Sequence, residues 1–416
     1  MTLPSAADDV DLARWIRPGD TVWIGQGCGE PLAWSTRLAA QRERLSGTRV
    51  VLCAMVAETF GPEHGDHLRF VLIAVSAGTR ALAARGSVDV LPVHYSSIEG
   101  LARDGLVPVD VVMVQVSPPD ARGRCSLGAG HDYLATLLPR ARVVLAEVNR
   151  QAPRVAGDAD FSLDDFDAVL ETDRPLPAVS LPAPGALEAR IAERVESLVP
   201  DRATLQLGIG AIPDALMTRL RGRRGLGYHS GILTDGVVDL IECGAIDDAH
   251  KGIDPGVAVT GLLHGSERTF RFADCNPRLA VRRPEYTHGQ QTLARIQRLC
   301  SINGALEVDL TGQVGSEAIG GRYVGAIGGQ VDFIRGARAS PGGTSIIVLP
   351  STQGGRSRIV ARLDGPVTTP RSDADIVVTE WGTARLRGRT LRERIEAMVA
   401  IADPAHREAL AREAYG

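Results

Sequence analysis

Two stretches decide the fold: DTVWIGQGCGEP at 20–31 and DRATLQLGIGAIP at 201–213. Each runs from an aspartate through a short apolar segment into Gly-x-Gly and closes on a proline. A buried strand that stops at a glycine turn before a helix is how a parallel α/β unit opens. Its appearance twice, early and near the middle of 416 residues, predicts two similar folds in tandem.

The chain around each opening reads the same way. In the first half, apolar β-branched runs at Thr21–Ile24, Arg49–Val56, Phe70–Ala74, Val88–Val93, Val109–Val116 and Val143–Val148 predict strands. Helical stretches such as Thr79–Arg85 and Tyr133–Leu138 separate them, and residues 6–16 read as a short helix. A proline-rich stretch follows and reads as a linker. After it come a helix at Leu187–Leu198 and strands at Ala203–Leu207, Ile232–Thr234, Val257–Leu263, Leu299–Ile302, Val331–Ile334, Ser345–Leu349 and Ile376–Thr379. Leu391–Ile401 and Ala405–Ala414 are predicted helices. The expectation is α/β with two tandem, open, mainly parallel sheets: one domain over 1–173, a linker over 174–186, and a second domain over 187–416.

Composition narrows the chemistry. A net charge of −4 and 4% aromatic residues give no basic or base-stacking surface, so no nucleic-acid partner is expected. No apolar run is long enough to span a membrane, and the acidic N-terminus lacks the apolar core of a signal peptide. Six scattered cysteines form no CxxC pair and no zinc spacing, so no metal is expected, and a reduced cytoplasmic setting fits. Lys251 is the only lysine, which an arginine bias of GC-rich coding explains. One lysine also makes Schiff-base catalysis a poor fit.

Four motifs bear on a site. LGIGAIPD at 207–214 places free N–H groups at a helix start, where a phosphate or developing oxyanion is held; a plain tight turn is the structural alternative. Proline at 213 excludes a dinucleotide fingerprint. GAIGGQVDFIRG at 325–336 has four glycines beside an apolar run, which fits either close ligand approach or a bulge. HSGILTDGVVD at 229–239 mixes turn residues with acid–base types, and capping alone would also explain Ser230 and Asp235. VSPPD at 116–120, with His131-Asp132-Tyr133 beyond it, forms a rigid loop at a strand end, which lines sites in open α/β sheets or serves structure alone.

Together with LAEVN at 145–149, TDGVVDL at 234–240, EVDLTGQV at 307–314 and DADIVVTEWG at 373–382, these motifs resemble the acetyl-CoA hydrolase/transferase family, and most closely its 4-hydroxybutyrate CoA-transferases. The resemblance implies tandem CoA-transferase domains with the active site between them. It places the thioester and its oxyanion on Gly208, Ile209, Gly210, Ala211 and Ile212, and the CoA on Gly328 and Gly329, with Ser351. Coenzyme A then enters as part of the acyl-CoA substrate, no resident cofactor is needed, and a homodimer is expected because relatives commonly associate.

The family's chemistry rests on a glutamate in a His-Ser-Glu segment, 23 residues beyond the first glycine of GIGAIP. That position here is Gly231, in Tyr228-His229-Ser230-Gly231. Glycine cannot be acylated, so the usual relay through an acyl-glutamyl anhydride cannot run there. His131 and His264 also stand where small or apolar residues are expected, and Asn149 is followed by Arg150. Three readings remain. In the first, a small-molecule nucleophile attacks the thioester directly, giving acyl transfer, cyclisation or hydrolysis, with His131, His229 or His94 as base. Each of these histidines would equally serve as a hydrogen-bonded structural residue. In the second, another carboxylate, Glu30, replaces the missing one. In the third, the chain binds CoA without catalysis.

Overall fold

The computed structural model describes residues 10–86, 88–180 and 183–415. The chain divides into two units. The first runs to Ser180 and takes in Gly231–Asp235 and Val259–Thr287; the second holds the rest.

In the first unit, strands β1 (Thr21–Ile24), β2 (Arg49–Leu52), β3 (Arg69–Leu72), β4 (Val88–Val90), β5 (Val111–Val116), β6 (Val143–Asn149) and β7 (Ala168–Thr172) form one sheet. Its order is β4-β3-β2-β1-β5-β6-β7, and every neighbouring pair is parallel. The central strands are buried along their whole length because both faces are covered. Val22, Ile24, Val111 and Met113 pack on one face with Trp34 and Leu38. Trp23, Val112 and Val114 pack on the other with Tyr133 and Leu134. Each such side chain contributes about 1.5–3 kcal/mol by leaving water, which fixes the register residue by residue.

The second unit repeats the plan. Strands β8 (Thr204–Leu207), β9 (Gly227–Tyr228), β10 (Leu299–Gly304), β11 (Thr344–Val348), β12 (Ile376–Thr379) and β13 (Gly382–Arg385) run in the order β9-β8-β10-β11-β12-β13. All pairs are parallel except the β12–β13 hairpin. Helix α1 (Leu32–Ala40) follows β1, and α2 (Ala211–Leu220) follows β8 and packs on the helix Ala186–Glu196.

The strand order reverses between β1 and β5 in the first sheet and between β8 and β10 in the second. The connections diverge at these points and leave a crevice at the carboxyl ends of the strands. The two openings are equivalent there. The Gly25 N–H donates to the Met113 carbonyl at 2.9 Å, and the Gly208 N–H donates to the Ile302 carbonyl at 3.0 Å.

One expected strand is a helix. Val331–Ile334 lies inside α3 (Gln330–Ala339), in which Gln330, Val331, Asp332, Phe333, Ile334, Gly336 and Ala337 are all buried. A segment as short as Val-Asp-Phe-Ile is too short to separate the two periods, and a helix buried at most of its positions shows no apolar stripe to give it away. The helix expected at 6–16 begins outside the described residues. Within them the chain makes a single 3-10 turn, Leu12–Arg14, capped by Asp11.

Candidate active site

The second unit presents the glycine turn at its switch point. β8 ends at Leu207, the chain turns at Gly208–Gly210, and α2 starts at Ala211. Gly210 has φ +125°, a region closed to L side chains, and a Cβ there would meet nothing within 4 Å. Among the described residues no side chain of the N-cap, Gly210, caps this helix start, and Ile209 is 51% exposed. The first turn of α2 thus starts from an exposed glycine turn; Pro213 brings no N–H and the Asp214 N–H donates to the Gly210 carbonyl at 3.1 Å, which leaves Ala211 and Ile212 as the N–H groups that could face a negative charge.

A buried amide network stiffens this turn from behind. Gln206 Nε2 donates to Asn303 Oδ1 at 3.1 Å, Asn303 Nδ2 donates to Gln206 Oε1 at 2.9 Å, and the Ser301 hydroxyl donates to the same Oε1 at 2.7 Å. Sequence reading missed these three residues. Their signal was present: polar side chains at alternate positions of strands that are otherwise apolar.

Edge strand β9 delivers Tyr228, His229 and Ser230 beside the same turn. The His229 N–H donates to the Leu205 carbonyl at 3.1 Å, and the Ser230 hydroxyl donates to the Leu207 carbonyl at 3.2 Å. Lys251 locks the strand. Its ammonium, wholly buried, donates to the carbonyls of Tyr228 (2.9 Å) and Val257 and lies 3.4 Å from the Asp248 carboxylate. A compact ammonium with three donors matches these three oxygen partners.

The other glycine motif caps α3. Gly328 has φ +56° with open space around it, while a Cβ on Gly329 would fall 2.4 Å from His288. The His288 ring stacks on Phe333, with centroids 4.5 Å apart, and burial pushes its pKa down to about 3. Ser351 is spoken for: its hydroxyl donates to Glu380 Oε1 at 2.6 Å and its N–H to Oε2 at 2.9 Å.

Gly231 groups with the first unit. Its carbonyl accepts the N–H groups of Gly261 and Leu262, each at 3.1 Å, and Ile232 pairs with Leu262 in a short parallel ladder. In the same unit His131 is fully buried, with Nε2 on Asp158 Oδ1. Burial opposes the charge on Asp158, but the His131 hydrogen bond and the nearby Arg283 together bring its pKa down to about 2. His94 is half-buried, and its Nδ1 has no hydrogen-bond partner among the described residues.

Glu30 is also fully buried, accepting from Ser35 at 2.8 Å and Thr59 at 2.6 Å. Burial pushes its pKa up to about 7 against the pull of those hydroxyls and of Arg174. The start of the proline-rich stretch is anchored on this side, with Arg174 gripping Glu147 through Nε (2.7 Å) and donating to the Glu30 carbonyl (2.9 Å). Among the described residues no cluster of His, Cys, Asp and Glu could hold a metal, and no helix is long and apolar enough to cross a membrane.

Comparison with known proteins matches residues 6–180 to the N-terminal domain of acetyl-CoA hydrolase/transferase and residues 265–414 to its C-terminal domain. The 4-hydroxybutyrate coenzyme A transferase of Clostridium kluyveri is 39% identical over 398 residues, 94% of this chain and 93% of that protein. Among solved structures, RipA from Yersinia pestis superposes with a TM-score of 0.89 at 34% identity, covering 96% of this chain and 94% of that one. A 4-hydroxybutyrate CoA-transferase from Porphyromonas gingivalis gives 0.80 at 37%, covering 97% and 95%.

Proposed function

The chain belongs to the acetyl-CoA hydrolase/transferase family, and from that premise we propose that it is an acyl-CoA-dependent transferase that works without an acyl-glutamate. The observation that carries this reading is Gly231. The position that the family resemblance assigns to the nucleophile is a residue without a side chain, while both glycine motifs stand in the sequence. The thioester would lie against Gly208–Ile212, with its carbonyl oxygen on the N–H groups that open α2. The CoA would run along Gly328 and Gly329. A small acceptor carrying O–H or N–H, or water, takes the space the missing side chain vacates.

The energetics allow it. A thioester is already activated. An oxyanion donor supplies about 3–4 kcal/mol of barrier lowering, and positioning the acceptor about 7–11 kcal/mol more. A covalent relay is therefore dispensable for acyl transfer, though not for exchanging CoA between carboxylates. The burial of Glu30 behind Ser35 and Thr59 speaks against its standing in as nucleophile. Of the three proposed histidine bases, His131 is already committed to Asp158.

The test is thiol release from a series of acyl-CoAs, with and without amines, alcohols and carboxylates. Release that rises with an amine or alcohol supports direct attack. Carboxylate-dependent exchange with ping-pong kinetics overturns it, and no release under any condition would favour a non-catalytic CoA binder.

A further inference from the structure

The second unit carries a small hollow at the edge of its sheet opposite the Gly208–Gly210 turn. That turn follows the carboxyl end of β8, and β8, β10, β11 and β12 run parallel. Ser345, the second residue of β11, and Asp375, just before β12, stand at the amino ends of their strands. Arg338 from the last turn of α3, Arg387 beyond β13 and Arg394 from the helix Leu391–Ile401 line the hollow with them. All of these residues belong to the second unit. The space measures about 130 Å³. It suits a small ion and falls short of the ~300–1,000 Å³ of an organic-ligand pocket.

The charges around it do not balance. Asp373, also in the wall, is held by Arg335 at 2.8 Å and lies 4.0 Å from Arg338. Burial raises the Asp375 pKa, while the charges of Arg387 and Arg385, the Ser345 N–H and the charge of Arg338 pull it back. Every hydrogen bond of Arg394 ends on a backbone carbonyl: Nε on Arg389 (3.3 Å), and Nη1 on Thr311 (3.1 Å) and Arg371 (2.7 Å). Its Nη2 is left unengaged among the described residues. Burial and the Arg371 charge both lower the Arg394 pKa, the mark of a cation short of a counter-ion. Arg335, Arg338, Arg385, Arg387 and Arg394 thus attend only Asp373 and Asp375.

We propose that this hollow binds a hydrogen phosphate group, free or at the end of a phosphate ester, with Arg387 and Arg394 donating to its oxygens and Asp375 accepting the proton it retains. The site lies apart from the two glycine motifs and does not depend on the direct-attack reading. Guanidinium groups present paired donors that match phosphate oxygens. A carboxylate in such a site repels a fully ionised oxyanion but accepts a hydrogen bond from one that keeps a proton. Near neutral pH hydrogen phosphate keeps one and sulfate does not. Asp375 therefore chooses between two ions of the same shape.

The experiment is calorimetric titration of the full chain near pH 7 with sodium phosphate, sulfate and chloride at matched ionic strength. CoA is titrated beside dephospho-CoA, which lacks the 3′-phosphate. Phosphate is expected to bind saturably, and sulfate and chloride not. Arg387→Ala, an exposed position whose loss leaves the core intact, is expected to weaken phosphate binding roughly tenfold. Asp375→Asn is expected to let sulfate in. If Arg387→Ala also removes a preference for CoA over dephospho-CoA, the group is carried on the nucleotide; if it affects inorganic phosphate alone, the ligand is the free ion. Phosphate affinity and CoA preference both unchanged in Arg387→Ala, or neither present in the wild type, overturn the site. Sulfate bound by the wild type as tightly as phosphate overturns the assignment to a protonated anion.

Discussion

The His288 ring occupies the place where Gly329 would carry a side chain: a Cβ there would sit 2.4 Å from the ring carbon Cδ2. The ring cannot retreat easily, because it is stacked on Phe333 and fully within the core of its unit. The residue is glycine because the imidazole is there, and the two positions answer to each other.

Gly329→Ala is therefore expected to cost about 1–3 kcal/mol through overpacking, read as a lower urea midpoint. Combining it with His288→Ala should recover part of the loss, since the cavity and the methyl offset each other. Simple additivity of the two changes would show that they do not share the space.

His288 also sets a pH dependence. Its folded pKa is about 3 against an ordinary value of 6.5. The unfolded chain thus binds the proton more readily, and the contribution of the neutral ring is complete above about 6.5 and lost as pH falls toward 3. Glu30 and Asp132, both raised to about 7, act in the opposite sense, favouring the folded state at low pH and losing that effect as pH rises. The measurement is accordingly a difference. The stability of His288→Gln minus that of wild type, followed by urea midpoint, should change between about pH 6.5 and 4 and be flat above.

Lys251→Met should destabilise the second unit by about 3–5 kcal/mol, because it leaves the Asp248 carboxylate and two carbonyls without their cation. Lys251→Arg is expected to fare little better, since a longer, planar fork does not present its donors as a fully buried ammonium does. Thermal unfolding of both variants checks this, and a midpoint unchanged for the arginine variant would contradict the tight fit around the ammonium.

Gly231→Glu would restore a carboxylate at the position that the family resemblance assigns to the nucleophile. If the rest of the relay persists, the variant gains carboxylate-dependent CoA exchange that the wild type lacks, detected as labelled acetate entering acetyl-CoA. If the pocket has been rebuilt around another acceptor, the added side chain only blocks it, and amine-dependent thiol release falls without any gain in exchange.

The fold was legible wherever residues close in sequence decide it. The strands around Thr21–Ile24 and Ala203–Leu207 and the Gly-x-Gly turns beyond them carry their own hydrophobic runs and breakers. Val331–Ile334 was misjudged because the four residues alone fit either period. The surroundings of the buried Asp132 carboxyl, which accepts from Tyr95 and Gln26, were illegible for a different reason. Gln26, Tyr95 and Asp132 are far apart in the chain, and no local pattern says that the sheet will bring them together. His131, one position away, drew attention as the titrating residue, yet the sequence could not tell that it would be bound to Asp158 while its neighbour took those two donors.

The solitary lysine has one more use. Reagents that acylate primary amines, such as succinimidyl dyes, meet no other lysine in this sequence, and the one they could reach is sealed until its surroundings come apart. Labelling of residue 251 therefore clocks how often that part of the second unit opens under native conditions. Peptide mass mapping after timed exposure would read out a local breathing rate with no engineered probe.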